Sequence, residues 1–90
     1  MELKQLEAFV NVVDEKSFSG AARKLSLTQP TISAHIASLE KELDTQLLER
    51  TTKKLSLTVK GAQLYDYSVS MMAVRTATMI TFRRYLLVPI

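Results

Sequence analysis

The sequence predicts a small, mostly helical domain in which a short β-hairpin separates the third helix from the fourth. Glycine and proline each occur only twice among 90 residues, so few positions interrupt a helix. Apolar residues recur at helical spacing in two of the first three segments and in a long final one. Between them, Leu55 and Leu57 alternate with Ser56, which favours a strand. The length indicates one domain.

The composition excludes several classes of protein. Without cysteine, the chain forms no disulfide scaffold and no thiolate metal site, and its one histidine cannot supply a multi-histidine site. We therefore expect no metal and no cofactor, and the lack of a catalytic constellation predicts that the chain is not an enzyme. No apolar run is long enough to span a membrane, and the N-terminus lacks the features of a secretory signal, which favours the cytoplasm.

The net charge of +3 is unevenly distributed. Residues 1–49 carry five bases and eight acids, whereas residues 50–90 carry seven bases and one acid. Four of those bases lie between Arg50 and Lys60 with no acid among them. This local excess fits a polyanionic partner, although a solvated loop kept soluble by lysines explains the charge about equally well.

Apolar periodicity and capping residues place the first two helices. The first is predicted from about Glu2 to Glu15, with Glu2 in the first turn. Its stripe consists of Leu3, Leu6, Phe9, Val10 and Val13. A short second helix is predicted from Gly20 to Leu25, with Ser17 or Ser19 as its cap.

The third helix is predicted to begin after Thr28, a suitable N-cap, with Pro30 in its first turn. Its inward stripe consists of Ile32, Ile36, Leu39 and Leu43. Asp44 follows, a residue that tolerates the left-handed conformation of a helix exit.

The fourth helix is predicted to begin after Thr58 and to be long, because no proline occurs before Pro89. It carries two apolar stripes, and a helix that is apolar on two faces needs two partners. One stripe consists of Leu64, Tyr67, Met71 and Val74, and the other of Tyr65, Val69, Met72 and Met79 or Ile80. We expect one stripe to pack on the chain's own domain and the other on a second copy. The alternative partner is a further domain outside this chain.

The second and third helices form a predicted helix-turn-helix, and the basic hairpin follows at the usual position of a wing. Gln29, Thr31 and Ser33 lie in the first turns of the third helix, where side chains can reach base edges or phosphates. The outward side of this helix carries Pro30, Ala34, Ala37, Ser38 and Lys41. Four of these five side chains are short, which suits a major groove about 12 Å wide. An ordinary surface helix would usually carry more long charged residues.

These motifs together resemble the N-terminal DNA-binding domain of the LysR-type transcriptional regulators. The resemblance covers about residues 1–65. The matching residues are Leu6, Phe9, Ser17-Phe18-Ser19, Ala21-Ala22, Leu25, Thr28-Gln29-Pro30-Thr31-Ile32-Ser33, Ile36, Leu39-Glu40, Leu43, Leu47-Leu48-Glu49-Arg50, Leu57-Thr58 and Gly61. The family differs in usually having glycine in place of Asp44, and alanine in place of Lys60.

The resemblance implies a winged helix-turn-helix over residues 1–58 and a dimerising linker helix over 59–90. It implies that Gln29, Pro30, Thr31 and Ser33 face the major groove, and the outward side of the helix adds Ala34 to the predicted DNA-binding residues. The implied wing residues, at the adjacent backbone or minor groove, are Arg50 and Lys53, and the local excess of bases adds Lys54 to the predicted DNA-binding residues. The predicted dimerisation residues come from the first apolar stripe of this helix and are Leu64, Tyr67, Met71 and Val74.

The implied partners are double-stranded DNA carrying an imperfect inverted repeat, a second copy of the chain, a higher oligomer in the full-length protein, and RNA polymerase. We expect the effector-binding domain of the family to be absent from this chain. Residues Arg83 to Ile90 differ from the family linker and form an atypical tail. The competing hypothesis is a helical dimerisation or protein-interaction module that does not bind DNA, but such a module would not need the basic segment Arg50 to Lys60.

Overall fold

The computed structural model describes residues 1–51 and 54–87. The helices are α1 (Leu3–Glu15), α2 (Phe18–Leu25), α3 (Gln29–Leu43) and α4 (Val59–Leu87), and the strands are β1 (Leu48–Arg50) and β2 (Leu55–Leu57). The predicted order of elements is confirmed. Lys53 and the last part of the predicted tail, residues 88–90, lie outside the described residues, whereas the rest of that tail continues α4.

Side-chain and backbone caps define the first three helices. Glu2 and Gln5 form a capping box at the start of α1, so Glu2 is the N-cap rather than a first-turn residue. The hydroxyl of Ser17 accepts a hydrogen bond from the backbone N–H of Gly20 at 2.9 Å. Because Ser17 is the cap, α2 begins at Phe18, two residues before the predicted start at Gly20.

Each of the three helices ends in a residue with left-handed backbone conformation, namely Lys16, Ser26 and Asp44. The expectation for Asp44 is confirmed, with φ of 49° and ψ of 45°. The side chain of aspartate tolerates this conformation, so the helix exit forms without the glycine that the family usually has there.

The core lies where α1, α2 and α3 pack together, and the hairpin closes one side of it. Phe9 on α1 is fully buried, as are Ile32, Ile36 and Leu39 on α3. The prediction that Leu43 also packs inward is wrong, because its side chain is 38% exposed. Leu43 is the last residue of α3, and it lines a shallow groove beside Leu64 and Tyr67 rather than the core.

The two strands form an antiparallel pair with Leu48 opposite Leu57 and Arg50 opposite Leu55. The carboxylate of Glu40 on α3 accepts hydrogen bonds from the backbone N–H groups of Leu47, at 2.7 Å, and Leu48, at 3.4 Å. A charged acceptor strengthens such bonds, so they tie the base of the hairpin to α3.

The first half of α4 packs on α1, where Tyr65 is half-buried, and its first turn lies against Leu47 and Leu57, where Gly61 is buried. The hydroxyl of Tyr65 donates a hydrogen bond to the Asp14 carboxylate at 2.5 Å. This bond, with burial adding to it, raises the pKa of Tyr65 above its usual value of 10.0. No helix in the described part of the chain has the length and hydropathy of a membrane span.

Candidate nucleic-acid interface

The start of α3 presents its predicted DNA-facing residues at the surface to different degrees. Gln29, Pro30 and Ala34 are exposed, whereas Thr31 and Ser33 are half-buried. The opposite side of the helix is fixed by the buried residues Ile32, Ile36 and Leu39. Since successive residues are rotated by about 100° around a helix, these anchors determine which side of the first two turns faces outward.

The cap of α3 engages one of the predicted contact residues. The Thr28 hydroxyl accepts a hydrogen bond from the backbone N–H of Thr31 at 3.3 Å, and the two threonine hydroxyl oxygens lie 2.8 Å apart. A hydroxyl has one donor and two acceptor positions, so Thr31 retains hydrogen-bonding capacity despite this contact. The contact between the two hydroxyl groups holds the Thr31 side chain in one orientation at the helix start.

The outward side of α3 is as slim as the sequence predicts. Pro30, Ala34, Ala37, Ser38 and Lys41 are all exposed. Ser38 also accepts a hydrogen bond from the Gln5 side chain at 3.2 Å, so α1 approaches the C-terminal half of α3. The N-terminal half therefore offers the more accessible edge for a groove.

The hairpin that follows α3 along the chain carries exposed basic residues. Arg50 and Lys54 are exposed at the two sides of its turn. Thr51 holds the turn together, because its N–H donates to the Lys54 carbonyl at 3.0 Å and its hydroxyl accepts from the Lys54 N–H at 3.1 Å. The wing residue Lys53, predicted from the sequence, lies outside the described residues.

A contact between the hairpin and α2 was not predicted from the sequence. The guanidinium carbon of Arg50 lies 4.4 Å from the centroid of the Phe18 ring, over its face. The residues are far apart in sequence and share no periodic pattern, so no sequence signal indicated this pair. Two further exposed bases, Arg23 and Lys24, occupy the last turn of α2, immediately before the turn that leads into α3.

The predicted dimerisation residues are largely uncovered in the single chain. Tyr67, Met71 and Val74 are 75%, 48% and 66% exposed, and Leu64 is half-buried. The same side of α4 continues into an open, mostly apolar groove of about 630 Å³. Its lining residues are Val74, Ala77, Thr78, Thr81, Phe82 and Tyr85. Among the described residues, then, α4 has a covered face only in its first half, because residues 73–87 are all exposed, and a long apolar face without a partner.

Comparison with known proteins decides the family. Residues 3–62 match the sequence pattern described as "Bacterial regulatory helix-turn-helix protein, lysR family". The chain belongs to the LysR family. It is 44% identical to the transcriptional regulator BenM of Acinetobacter baylyi over 73 residues, which are 81% of this chain and 24% of BenM. It is 46% identical over 66 residues to CysL of Bacillus subtilis, which covers 73% of this chain and 22% of that regulator.

Solved structures of LysR-family DNA-binding domains have the same fold. The structure of the BenM DNA-binding domain in complex with catB site 1 DNA matches with a TM-score of 0.94 and 37% identity, over 100% of both chains. The CbnR DNA-binding domain–DNA complex matches with a TM-score of 0.85 and 27% identity, over 96% of this chain and 99% of that one. The winged helix-turn-helix with a long following helix, predicted from the sequence, is thus confirmed.

The chain spans about a quarter of the length of the curated relatives it matches, 24% for BenM and 22% for CysL. The matched part contains the helix-turn-helix and hairpin, which lie within residues 3–62. The relatives are bacterial transcriptional regulators, so the family is one of regulatory proteins.

Proposed function

We propose that this chain is the sequence-specific DNA-binding domain of a bacterial LysR-type transcriptional regulator, not an enzyme, and that it acts on double-stranded DNA in the cytoplasm. The observation that carries the proposal is the exposed, slim start of α3 in a chain of this family that also has an exposed basic hairpin. In two relatives of the same fold, BenM and CbnR, the matching domain was solved as a complex with DNA.

The start of α3 enters the major groove in this proposal. Gln29 is exposed at the first helical position, and its amide can pair with the N6 and N7 atoms of adenine. Thr31 and Ser33 offer hydroxyls to phosphates or base edges, while Pro30 and Ala34 give apolar contacts such as those with the thymine methyl group. The slim face allows these residues to approach the bases.

The hairpin serves as the wing, at the backbone or minor groove next to the site of α3. Arg50 and Lys54 supply positive charge from the described part, and Lys53 directly precedes Lys54 in the sequence. Arg23 and Lys24 extend the charge along α2, which in helix-turn-helix domains crosses the DNA backbone. These contacts provide affinity, whereas the groove contacts provide sequence specificity.

Two copies pair through α4, so that residues 1–58 read DNA and residues 59–90 join the copies. The exposed residues Tyr67, Met71 and Val74, with half-buried Leu64, form the pairing face. A homodimer places its two recognition helices on an imperfect inverted repeat. The full-length regulator would add higher oligomers and contact with RNA polymerase. The rival hypothesis, an interaction module without DNA binding, shares the α4 face but does not explain the basic wing.

Replacing Gln29 with alanine tests the groove assignment. The substitution deletes a bidentate contact worth about 1–3 kcal/mol of discrimination against the wrong base. A preferred operator is first selected from random duplex DNA, and both proteins are then titrated on that operator and on a scrambled duplex. We expect Gln29→Ala to lower the affinity for the operator and to leave the affinity for the scrambled duplex almost unchanged, because the phosphate contacts persist there.

The matched control is Gln63→Ala, the same deletion at an exposed position on α4. It should leave the operator preference unchanged, and circular dichroism melts should confirm that both variants are folded. Equal losses of Gln29→Ala on both duplexes would mean that Gln29 touches only the backbone. Failure of the parent to select any sequence would favour the interaction module instead.

A further inference from the structure

The contact between Arg50 and Phe18 joins the wing to the helix-turn-helix at a defined point. Arg50 ends β1, and Phe18 begins α2. The Phe18 ring is half-buried and packs against the hydrophobic core, so the core holds it in place. The guanidinium group lies over this ring, with 4.4 Å between its central carbon and the ring centroid. A fixed aromatic face therefore supports a side chain that is otherwise exposed.

This arrangement leaves the hydrogen-bonding edge of the guanidinium available. A guanidinium stacked on a ring uses its flat face, whereas its five N–H donors point outward in its plane. In the described part of the chain, these donors form no hydrogen bond or ion pair. Arg75 differs, because its guanidinium donates to the Glu7 carboxylate at 2.8 Å. Arg50 thus presents a fork of donors suited to two oxygens of one phosphate.

We propose that Phe18 is a positioning residue that holds the Arg50 guanidinium ready to bind a DNA phosphate. The inference rests on the proposed function, since it needs DNA as the partner. An arginine side chain loses rotamer freedom when it binds, and a ring that orders it beforehand reduces this loss. A cation–π contact at an exposed site corresponds to about a two- to fivefold change in an equilibrium constant. Phe18 should therefore strengthen binding by about that factor per half-site.

A purely structural role for Phe18 makes a different prediction. If the ring only fills the edge of the core, its loss weakens binding by the same factor whether or not Arg50 is present. If the ring acts through Arg50, its loss has no effect once Arg50 has been removed. A double-mutant cycle on DNA affinity distinguishes these two cases.

The experiment titrates a fluorescently labelled operator duplex with the parent, Phe18→Leu, Arg50→Ala and the double variant, at one salt concentration and well below every melting temperature. We expect Phe18→Leu to lose about two- to fivefold in affinity, and the double variant to bind like Arg50→Ala. Phe18→Tyr should restore parental affinity, because tyrosine keeps the aromatic face. The control is Leu25→Ala, since Leu25 is half-buried on the same helix. This variant should lose DNA affinity by the same factor whether or not Arg50 is present.

Phe18→Trp gives a direct check on the contact, because the chain has no natural tryptophan. Its emission should change when Arg50 is replaced by alanine; identical spectra would overturn the inference. Equal losses for Phe18→Leu in both Arg50 backgrounds would also overturn it while leaving DNA binding established. A parent that binds no duplex would refute the proposed function itself, and the positioning role with it.

Discussion

Gly61→Ala should destabilise the domain more than an ordinary helix substitution, because the backbone of Leu47, immediately before β1, lies against this position. A Cβ atom added at Gly61 would lie 2.1 Å from the carbonyl oxygen of Leu47 and 3.1 Å from a methyl group of Leu57. Real Cβ atoms essentially never approach another heavy atom closer than 3.0 Å, so α4 or the loop before β1 must move by about 0.9 Å. The Leu47 carbonyl also accepts a hydrogen bond from the Thr58 N–H at 3.1 Å, which that movement would weaken.

The expected magnitude follows from three contributions. Inserting a methyl group into a filled site costs about 1–3 kcal/mol, and this clash is with backbone rather than a flexible side chain. Losing the hydrogen bond to Leu47 adds about 1 kcal/mol. Alanine is favoured over glycine in a helix by about 1 kcal/mol, which opposes both terms. The net loss is about 2 kcal/mol, or a melting temperature lower by about 8–16 °C for a domain of this size.

Thermal and urea unfolding followed by circular dichroism measure this loss. The matched control is Gly20→Ala in α2, where the added Cβ would meet the side chain of the exposed residue Glu15, at 3.0 Å. The nearest atom is the Cβ of Glu15, and a shift of a few tenths of an ångström relieves this contact, so we expect a change within about 1 kcal/mol of the parent. A Gly61→Ala variant with the same melting temperature as the parent would show that Leu47 and Leu57 do not pack against α4 as closely as the structure indicates.

Three further substitutions test charge, pairing and pH dependence. Lys54→Ala should flatten the dependence of log affinity on log salt by about 0.9 if Lys54 neutralises one phosphate, whereas Lys4→Ala, at an exposed α1 residue that pairs with Glu2 at 3.2 Å, should leave the slope unchanged. Met71→Glu should shift a parental dimer towards monomer in analytical ultracentrifugation, because it places an uncompensated charge in the pairing face; a parent that is monomeric at micromolar concentration would contradict pairing by this segment alone. Tyr65→Phe should lower the free energy of unfolding, measured in urea at pH 7, by less than about 1 kcal/mol. The difference in this free energy between the parent and the variant should shrink above pH 10. The raised pKa of Tyr65 means that the unfolded state loses this proton first, so stability falls as pH rises; an advantage that is constant with pH would exclude the hydrogen bond to Asp14 as its source.

The local features of the fold were predictable from the sequence because each depends on neighbouring residues. Thr28 and Thr58 cap the helices that follow them, and the hydroxyl of Thr58 accepts from the Gly61 N–H at 2.9 Å. Asp44 takes the left-handed conformation expected at the exit of α3. The start of α2 was missed by two residues, because two candidate serines stand close together and only the structure shows that Ser17 is the cap.

The features that join distant segments were not predictable in the same way. The contact of Arg50 with Phe18 and the hydrogen bonds from the Leu47 and Leu48 N–H groups to Glu40 depend on how the hairpin docks on the helices. Periodicity assigned Leu43 to the core because it continues the stripe of α3, but periodicity does not show where the neighbouring elements end. The roles of the α3 and wing residues in binding DNA stay predictions.

Leu47 connects the three elements that the proposed DNA binding requires, namely α3, the hairpin and α4. Its N–H donates to the Glu40 carboxylate on α3, and its carbonyl oxygen accepts from the Thr58 N–H at the start of α4. The Leu47 side chain is buried in the core, and β1 begins at the next residue. The recognition helix, the wing and the proposed dimerisation helix are therefore fixed to one short segment of backbone. Since α4 would pair two copies, this connection would transmit the geometry of pairing to the spacing between their recognition helices, which is the distance that the two halves of an inverted repeat must match.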